Sequence, residues 1–488
     1  MINKIVLNNN IKIILRDTGR ILIIVGIASF FVNIVGIIFK EIDYIKWFIL
    51  MSSIFLIVGY IFSLLGKTDY ETRLRHAMII AVLCWIILSM ISAIPFCLIP
   101  DRDGLKLDYL SALFEGTAGW SGTGLTMYSQ PSKLPHILQF WRSFSQWVGS
   151  AGIIVLAIAV LFRPGSGAFT LYKSEGREER IKPSAISTAK MIWIIYLFYT
   201  VIGIIILLLL GMPAWESVNH AMTAIATGGF SVRDDSLATY SAAIKFVIVL
   251  MMIFGATSFL AHYELLYRKI KKFIRDIQFQ AMLIIILIGI LLLLVFGKIN
   301  FFESAFHFIS ALTTTGFSTT NLSNWSENAK FLLSIAMIVG GAAGSTAGGI
   351  KLVRIILLFK GIGWKLKRAF LPARSTFPYK FGEDFLLKEE AMEILGEASV
   401  ISFLWVGFLI FSALIVSSST GEGLINSFFE VCSAQGGVGL SVGITKIAMP
   451  WSAKLMLIFN MWLGRLEIIP FLVMLRSIYH FVVGKKVY

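Results

Sequence analysis

Hydrophobic positions along this chain gather into runs of the length a lipid bilayer demands. About 20 apolar residues cross the hydrocarbon, and ten runs qualify, at roughly 21–39, 47–65, 77–98, 137–162, 189–210, 242–266, 278–296, 330–359, 398–416 and 451–483. Between some of them lie shorter half-apolar segments that end in glycine and hydroxyl residues. They recur in register: FEGTAGWSGTGLT (Phe114 to Thr126), NHAMTAIATGGFS (Asn219 to Ser231), FHFISALTTTGFS (Phe306 to Ser318) and FEVCSAQGGVGLS (Phe429 to Ser441). Aligned on Gly124, Gly229, Gly316 and Gly439, the next residue is Leu125, Phe230, Phe317 or Leu440, followed by Thr126, Ser231, Ser318 or Ser441. Nine positions upstream stand Glu115, His220, His307 and Glu430.

The intervals between these glycines leave room each time for one outgoing span, one incoming span and a loop. The repeat therefore predicts four units of span, re-entrant helix, glycine turn and span. The expected fold is an all-α polytopic membrane protein with about ten transmembrane helices and four re-entrant pore helices around one pore. Two extra spans occupy 1–70, and the units occupy 71–175, 176–275, 276–375 and 376–488.

Irregular backbone at membrane depth survives only where protein or a water-filled path satisfies its polar groups. Four such loops around one axis would form a ring of carbonyls of the kind that strips a cation of its water, with glycine permitting the backbone angles required. The expected ligands are Gly122, Thr123 and Gly124; Thr227, Gly228 and Gly229; Thr314, Thr315 and Gly316; and Gly437, Val438 and Gly439. Thr314-Thr315-Gly316 and Gly437-Val438-Gly439 resemble the threonine-valine-glycine core of tetrameric potassium channels. Each preceding helix would aim its partially negative C-terminal end at the cavity, which favours a cation.

Composition agrees with a membrane protein: of 488 residues, 57% are hydrophobic and only 15% charged. The formal charge of +15 falls largely on 163–190, 268–275 and 351–380, whereas the alternate connections carry few cations or balance them with acids. By the positive-inside rule these stretches and both termini are cytoplasmic, and the cations mark topology and contact with anionic lipid, not nucleic acid. The opening MINKIVLNNNIKIILRD lacks a short apolar core and a cleavage site, so insertion is expected to rest on the first true span. Cys84, Cys97 and Cys432 have no metal-ligand spacing.

With the four loops, the runs QWVGSAGIIVLAIAVL in unit one, GGAAGSTAGGIKLVR in unit three and LGRLEI in the last span make the chain similar to the TrkH/KtrB superfamily of potassium-uptake proteins. The resemblance covers nearly the whole chain, and the two extra spans are more like TrkH than KtrB. It implies potassium as the transported ion, a homodimer with one pore per chain, and a cytoplasmic TrkA-like ring that binds nucleotides, in a cell inner (plasma) membrane. The first loop, Ser121-Gly122-Thr123-Gly124, departs from the usual run of threonines but keeps its central glycine.

Gly340, Gly341, Gly344, Ser345, Thr346, Gly348, Gly349 and Lys351 interrupt the eighth run. Five glycines, each about 1 kcal/mol worse than alanine in a helix, predict a break, unless they mark a close-packed crossing. The resemblance matches segment 340–350 to an intramembrane gating loop under the filter. Arg465 lies well inside the last span, where its charge requires either a water-filled cavity or a carboxylate on another span. The resemblance favours a place beside the pore. Lys351 either lines the cavity or begins the cytoplasmic basic cluster. Glu115, His220, His307 and Glu430 are expected to begin the re-entrant helices and to serve capping and packing.

No H-E-x-x-H cluster and no G-x-x-x-x-G-K-[ST] loop is present, so no organic cofactor and no enzyme activity is expected. The function that emerges is a potassium-selective conducting subunit with passive flow. The alternative is a potassium symporter coupled to sodium or protons, for which Glu264, Glu430 and Glu467 are the candidate carboxylates.

Overall fold

The computed structural model describes residues 8–152, 155, 184–372, 377–382 and 384–483. The far end of the run at 137–162 and most of the basic stretch 163–190 lie outside these residues. Nearly all of the rest is helical. Helices α1 (Asn9–Phe30), α2 (Asn33–Ile38) and α3 (Ile42–Leu65) form the N-terminal hairpin. Unit one contains α4 (Leu74–Leu98), α5 (Tyr109–Ser121) and α6 (His136–Ala151). Unit two contains α7 (Ala185–Leu209), α8 (Ala214–Ile225), α9 (Ala242–Gly255), α10 (Phe259–Leu266) and α11 (Ile270–Arg275). Unit three contains α12 (Ile277–Leu292), α13 (Phe301–Leu312), α14 (Glu327–Val339) and α15 (Leu352–Phe370). A small antiparallel hairpin, β1 (Tyr379–Phe381) and β2 (Asp384–Leu386), precedes α16 (Lys388–Thr420), α17 (Leu424–Gly436), α18 (Trp451–Leu466) and α19 (Ile468–Val482). Nothing in the apolar pattern anticipates that hairpin.

Among the described residues six helices are apolar and long enough to cross a membrane, and two more pairs qualify only as bent spans. The expected spans at 242–266 and 451–483 are the bent ones: α9 with α10 and α18 with α19 each turn by 108°. The run at 330–359 breaks after Val339, as its glycines require. α6 likewise stops at Ala151, before Gly152 at φ 96°. Thus the third helix of every unit, α6, α9, α14 or α18, ends abruptly. Hydropathy misses three of these breaks because the chain stays apolar on both sides of them, while a Ser258 N-cap, Glu467 at φ 61° and Gly152 turn the backbone.

The N-terminal hairpin packs through small residues, since a Cβ at Gly19 would lie 2.6 Å from the Ser63 backbone nitrogen. It docks onto unit one through Glu41. Pro135 precedes α6 and offers no side-chain cap; the Glu41 carboxylate accepts instead from the His136 and Ile137 backbone N–H groups at 2.8 and 2.9 Å, satisfying orphan donors of that helix.

A repeated staple stands near the start of the third helix of each unit, and in three units it ties that unit to the next. The fourth residue of α6, α9, α14 and α18 is Gln139, Lys245, Lys330 and Lys454. Each side chain turns back to a carbonyl seven residues earlier: Ser132, Ala238, Ser323 and Ile447. Three also reach the following unit. Gln139 accepts from Trp215 at 2.7 Å, Lys330 donates to Asn426 at 3.0 Å, and Lys454 closes the circle by donating to Ser111 at 2.7 Å. Lys454→Met would leave the Ile447 carbonyl unpaired and take away the donor to the Ser111 hydroxyl, which keeps only its bond to Asp108. It is expected to cost about 1–3 kcal/mol, read as a lower unfolding temperature in detergent.

Candidate functional site

All four short helices (α5, α8, α13 and α17) end in the same device. The N–H groups of Gly122, Thr227, Thr314 and Gly437 bond three residues back, to the carbonyls of Gly119, Ala224, Ala311 and Ala434. The following residues, Thr123, Gly228, Thr315 and Val438, bond five residues back, to Ala118, Thr223, Ser310 and Ser433, at 2.8–2.9 Å. This is the Schellman cap, and its first residue must adopt a left-handed backbone. The φ values are 71°, 50°, 54° and 67°. Glycine meets the demand freely at 122 and 437, whereas the two threonines carry roughly 1–2 kcal/mol of steric cost each.

Beyond the caps the loops close a ring in chain order. Gly124 N–H donates to the Val438 carbonyl at 3.0 Å. A Cβ built on Gly124 would lie 2.9 Å from the Gly228 carbonyl oxygen, one on Gly229 would collide with the Thr315 carbonyl, and one on Gly316 would collide with the Val438 carbonyl. One meets two, two meets three, three meets four and four meets one. The central glycines and the residues just before them therefore meet loop to loop, and bare backbone is required where the loops touch.

The residues nine positions upstream brace each loop from behind. They sit in mid-helix, not at helix starts as expected, and all are buried. Glu430 accepts from Ser441 Oγ at 2.7 Å, from the Val442 and Thr445 N–H groups at 3.1 and 2.9 Å, and from the Thr445 hydroxyl. Glu115 accepts from Thr126 Oγ1 and Met127 N–H and pairs with Arg142 at 2.7 Å. His220 bonds Ser231, and His307 accepts from Thr319 N–H.

A second row of braces stands six positions before each central glycine. Thr223 and Ser310 donate to the Phe230 and Phe317 carbonyls, and Ser310 and Ser433 accept from the Gly316 and Gly439 N–H groups. Unit one has Ala118 there. With no hydroxyl to accept it, the Gly124 N–H turns to Val438 of the neighbouring loop, and Gly124 alone among the central glycines lacks a positive φ.

Beneath the ring, segment 340–351 plugs the bend of unit two. Ala342 and Thr346 N–H groups donate to the Ala256 and Gly255 carbonyls, and Phe259 N–H donates to the Gly344 carbonyl at 2.9 Å. Each broken element thus satisfies the other. Gly340 and Gly349 face each other so closely that a Cβ on Gly349 would lie 2.6 Å from the Gly340 Cα. Gly341 and Ser345 are buried in the same turn. The two strained threonines touch this segment: Gly348 N–H donates to Thr314 Oγ1 at 2.7 Å, and Thr227 Oγ1 lies 3.2 Å from Thr346 Oγ1. Thr346 Oγ1 also reaches the Gly255 carbonyl at 2.7 Å and the Ile225 carbonyl at 3.0 Å.

Arg465 lies beside this junction. It donates to the carbonyls of Thr346, Gly149 and Ser150 at 3.2, 2.8 and 2.7 Å, with its guanidinium 5.6 Å from the Trp85 ring. The last two acceptors belong to the negative end of α6. The Lys351 amine folds back onto the Ala347 carbonyl. Glu467 forms a bidentate pair with Arg354 at 2.7 and 3.0 Å. Outside the membrane region, in the connection after loop two, burial would raise the Asp235 carboxyl. Donors from Arg233 and Thr239 nevertheless hold it below its usual range.

An all-helical membrane fold with four capped glycine loops closed into a ring defines a cation-transport protein. The chain belongs to the TrkH family: residues 46–480 match it under the description cation transport protein. It is 36% identical over 471 residues to an uncharacterized cation transporter of Methanocaldococcus jannaschii, covering 96% of each chain. It is 31% identical to the Trk system potassium uptake protein TrkH of Salmonella typhimurium over 83% of this chain and 86% of that one. The crystal structure of the potassium transporter TrkH from Vibrio parahaemolyticus superposes with TM-score 0.81 at 27% identity, covering 95% of this chain and 98% of that one. The family is one of transporters, not enzymes.

The staples at Gln139, Lys245, Lys330 and Lys454 and the second row of braces at Thr223, Ser310 and Ser433 were not anticipated from the sequence. Their signal was present as equal placement within each unit, but pairing partners lie on other elements. Glu430→Ala would strand several buried donors and is expected to cost at least about 3 kcal/mol. Glu422→Ala, at an exposed site, should move the detergent unfolding temperature little.

Proposed function

We propose that this chain is the potassium-selective conducting subunit of a Trk-type uptake system, with passive flow through the ring of glycine loops. The observation that carries the reading is the ring itself: four loops, capped alike, meeting in order with backbone against backbone. Residues 122–124, 227–229, 314–316 and 437–439 supply the carbonyls that replace the hydration shell of a potassium ion. The four helices aim their negative ends at the same point, which favours a cation.

Segment 340–351 is the gate. It lies under the ring, is held by single hydroxyl and carbonyl contacts, and is tied to Arg465 through the Thr346 carbonyl. Arg465 and Lys351 place positive charge at this level. Of the three carboxylates a coupled carrier would use, two are otherwise engaged, Glu467 by Arg354 and Glu430 by the loop it braces. The basic connections place both termini in the cytoplasm of a cell whose inner membrane holds the protein. A cytoplasmic nucleotide-binding ring of the TrkA kind and a second copy of the chain complete the assembly.

Proteoliposomes under a potassium gradient alone, with voltage clamped, test this reading. Potassium, rubidium and caesium are expected to pass ahead of sodium and lithium; flux that needs an added sodium or proton gradient would instead mean a coupled carrier. Gly316→Ser, which places a side chain against the Val438 carbonyl, should abolish conduction or admit sodium. Thr346→Ala removes the hydroxyl contacts to the Ile225 and Gly255 carbonyls and to Thr227 while keeping the backbone bond to Gly255, and is expected to raise passive flux roughly threefold or more without altering the ion order.

A further inference from the structure

The four units differ at a further buried position that touches the ring. The eleventh residue of α9, α14 and α18 is Met252, Met337 and Met461, each at most 1% exposed. In α6 the same position is Gln146, which is fully buried. Its partners fix its amide in one orientation. Nε2 donates to the Thr123 carbonyl at 3.1 Å and to the Gly228 carbonyl at 2.7 Å, and Oε1 accepts from the Phe230 N–H at 3.1 Å. One side chain therefore grips carbonyls from two neighbouring loops at the same level.

We propose that Gln146 is a positioning residue that sets the spacing of loops one and two and so determines the discrimination between potassium and sodium. The inference rests on the conduction reading above. A filter chooses among cations by the number, spacing and field of its carbonyls. At this level the Thr123 and Gly228 carbonyls share their oxygens with the Gln146 amide, and the Val438 carbonyl shares its own with the Gly124 N–H. The ring is unequal by construction. Unit one lacks the hydroxyl brace that units two, three and four draw from Thr223, Ser310 and Ser433, because Ala118 stands in its place. Gln146 restores support from the opposite side and extends it to loop two. With one amide tied to both carbonyls, loops one and two keep a fixed separation and the ring resists the contraction that a smaller ion requires. A methionine there would fill the volume and release both oxygens.

Gln146→Met makes unit one like the others and is the direct test, with the potassium-to-sodium permeability ratio from reversal potentials in proteoliposomes as the readout. The ratio is expected to fall by roughly fivefold or more. Gln146→Glu keeps the shape and the acceptor for Phe230 but loses the amide donors; it should lower the ratio likewise and serves if the methionine variant folds poorly. Gln139→Met removes an inter-unit bond from the same helix without touching the ring, and its ratio should match the parent. Parent-like ratios in both Gln146 variants would overturn the proposal, as would an equal fall in Gln139→Met, which would mean general packing. A parent protein without selectivity would overturn the conduction reading itself.

Discussion

Every peptide group that leaves a helix inside a bilayer must find a partner within the protein, at a cost of several kcal/mol if it fails. This chain breaks its helices repeatedly at membrane depth, and the way the breaks satisfy one another organises everything else. The caps on the four short helices absorb their own last carbonyls. The bend between α9 and α10 and the glycine segment after α14 exchange hydrogen bonds. The carbonyls at the end of α6 are met by the guanidinium of Arg465 from the last unit. No single unit is self-sufficient, so the break in one is the binding partner of the next.

The same constraint explains where the fourfold pattern is kept and where it is abandoned. The cap demands a left-handed residue at 122, 227, 314 and 437. Two units meet this with glycine. The other two accept threonine and its steric cost, and those two hydroxyls are the ones that reach the segment beneath. Loss of a hydroxyl at Ala118 propagates in a similar way, redirecting the Gly124 N–H to another loop. Each departure is local in sequence but is answered by a residue on a different element.

Much of the architecture was legible from periodicity. Apolar run lengths placed the spans, and the register of glycine, large apolar residue and hydroxyl located all four loops. The break at 340–351 was legible because glycine is unfavourable in a helix wherever it stands. The bends after Gly255 and Leu466 were not, since hydropathy reports the medium around a segment and is blind to its direction. Glu115, His220, His307 and Glu430 were found by register but misplaced as helix starts, because the alignment gave no helix boundaries. Lys245, Lys330 and Lys454 were hidden for another reason: a lysine near a span end reads as a surface anchor, and only tertiary contacts reveal that its amine is bound inside.

The ring is drawn from one polypeptide, and this has a consequence for how it changes over generations. In an assembly of identical subunits a single codon alters all four quadrants at once, so most substitutions at the axis are all-or-nothing. Here a codon alters one quadrant, and the three others hold the geometry while it drifts. A glutamine can replace a methionine in one unit, or an alanine a hydroxyl, without either being tried four times over. Carrying all four units on one chain thus converts a coarse dial into four fine ones.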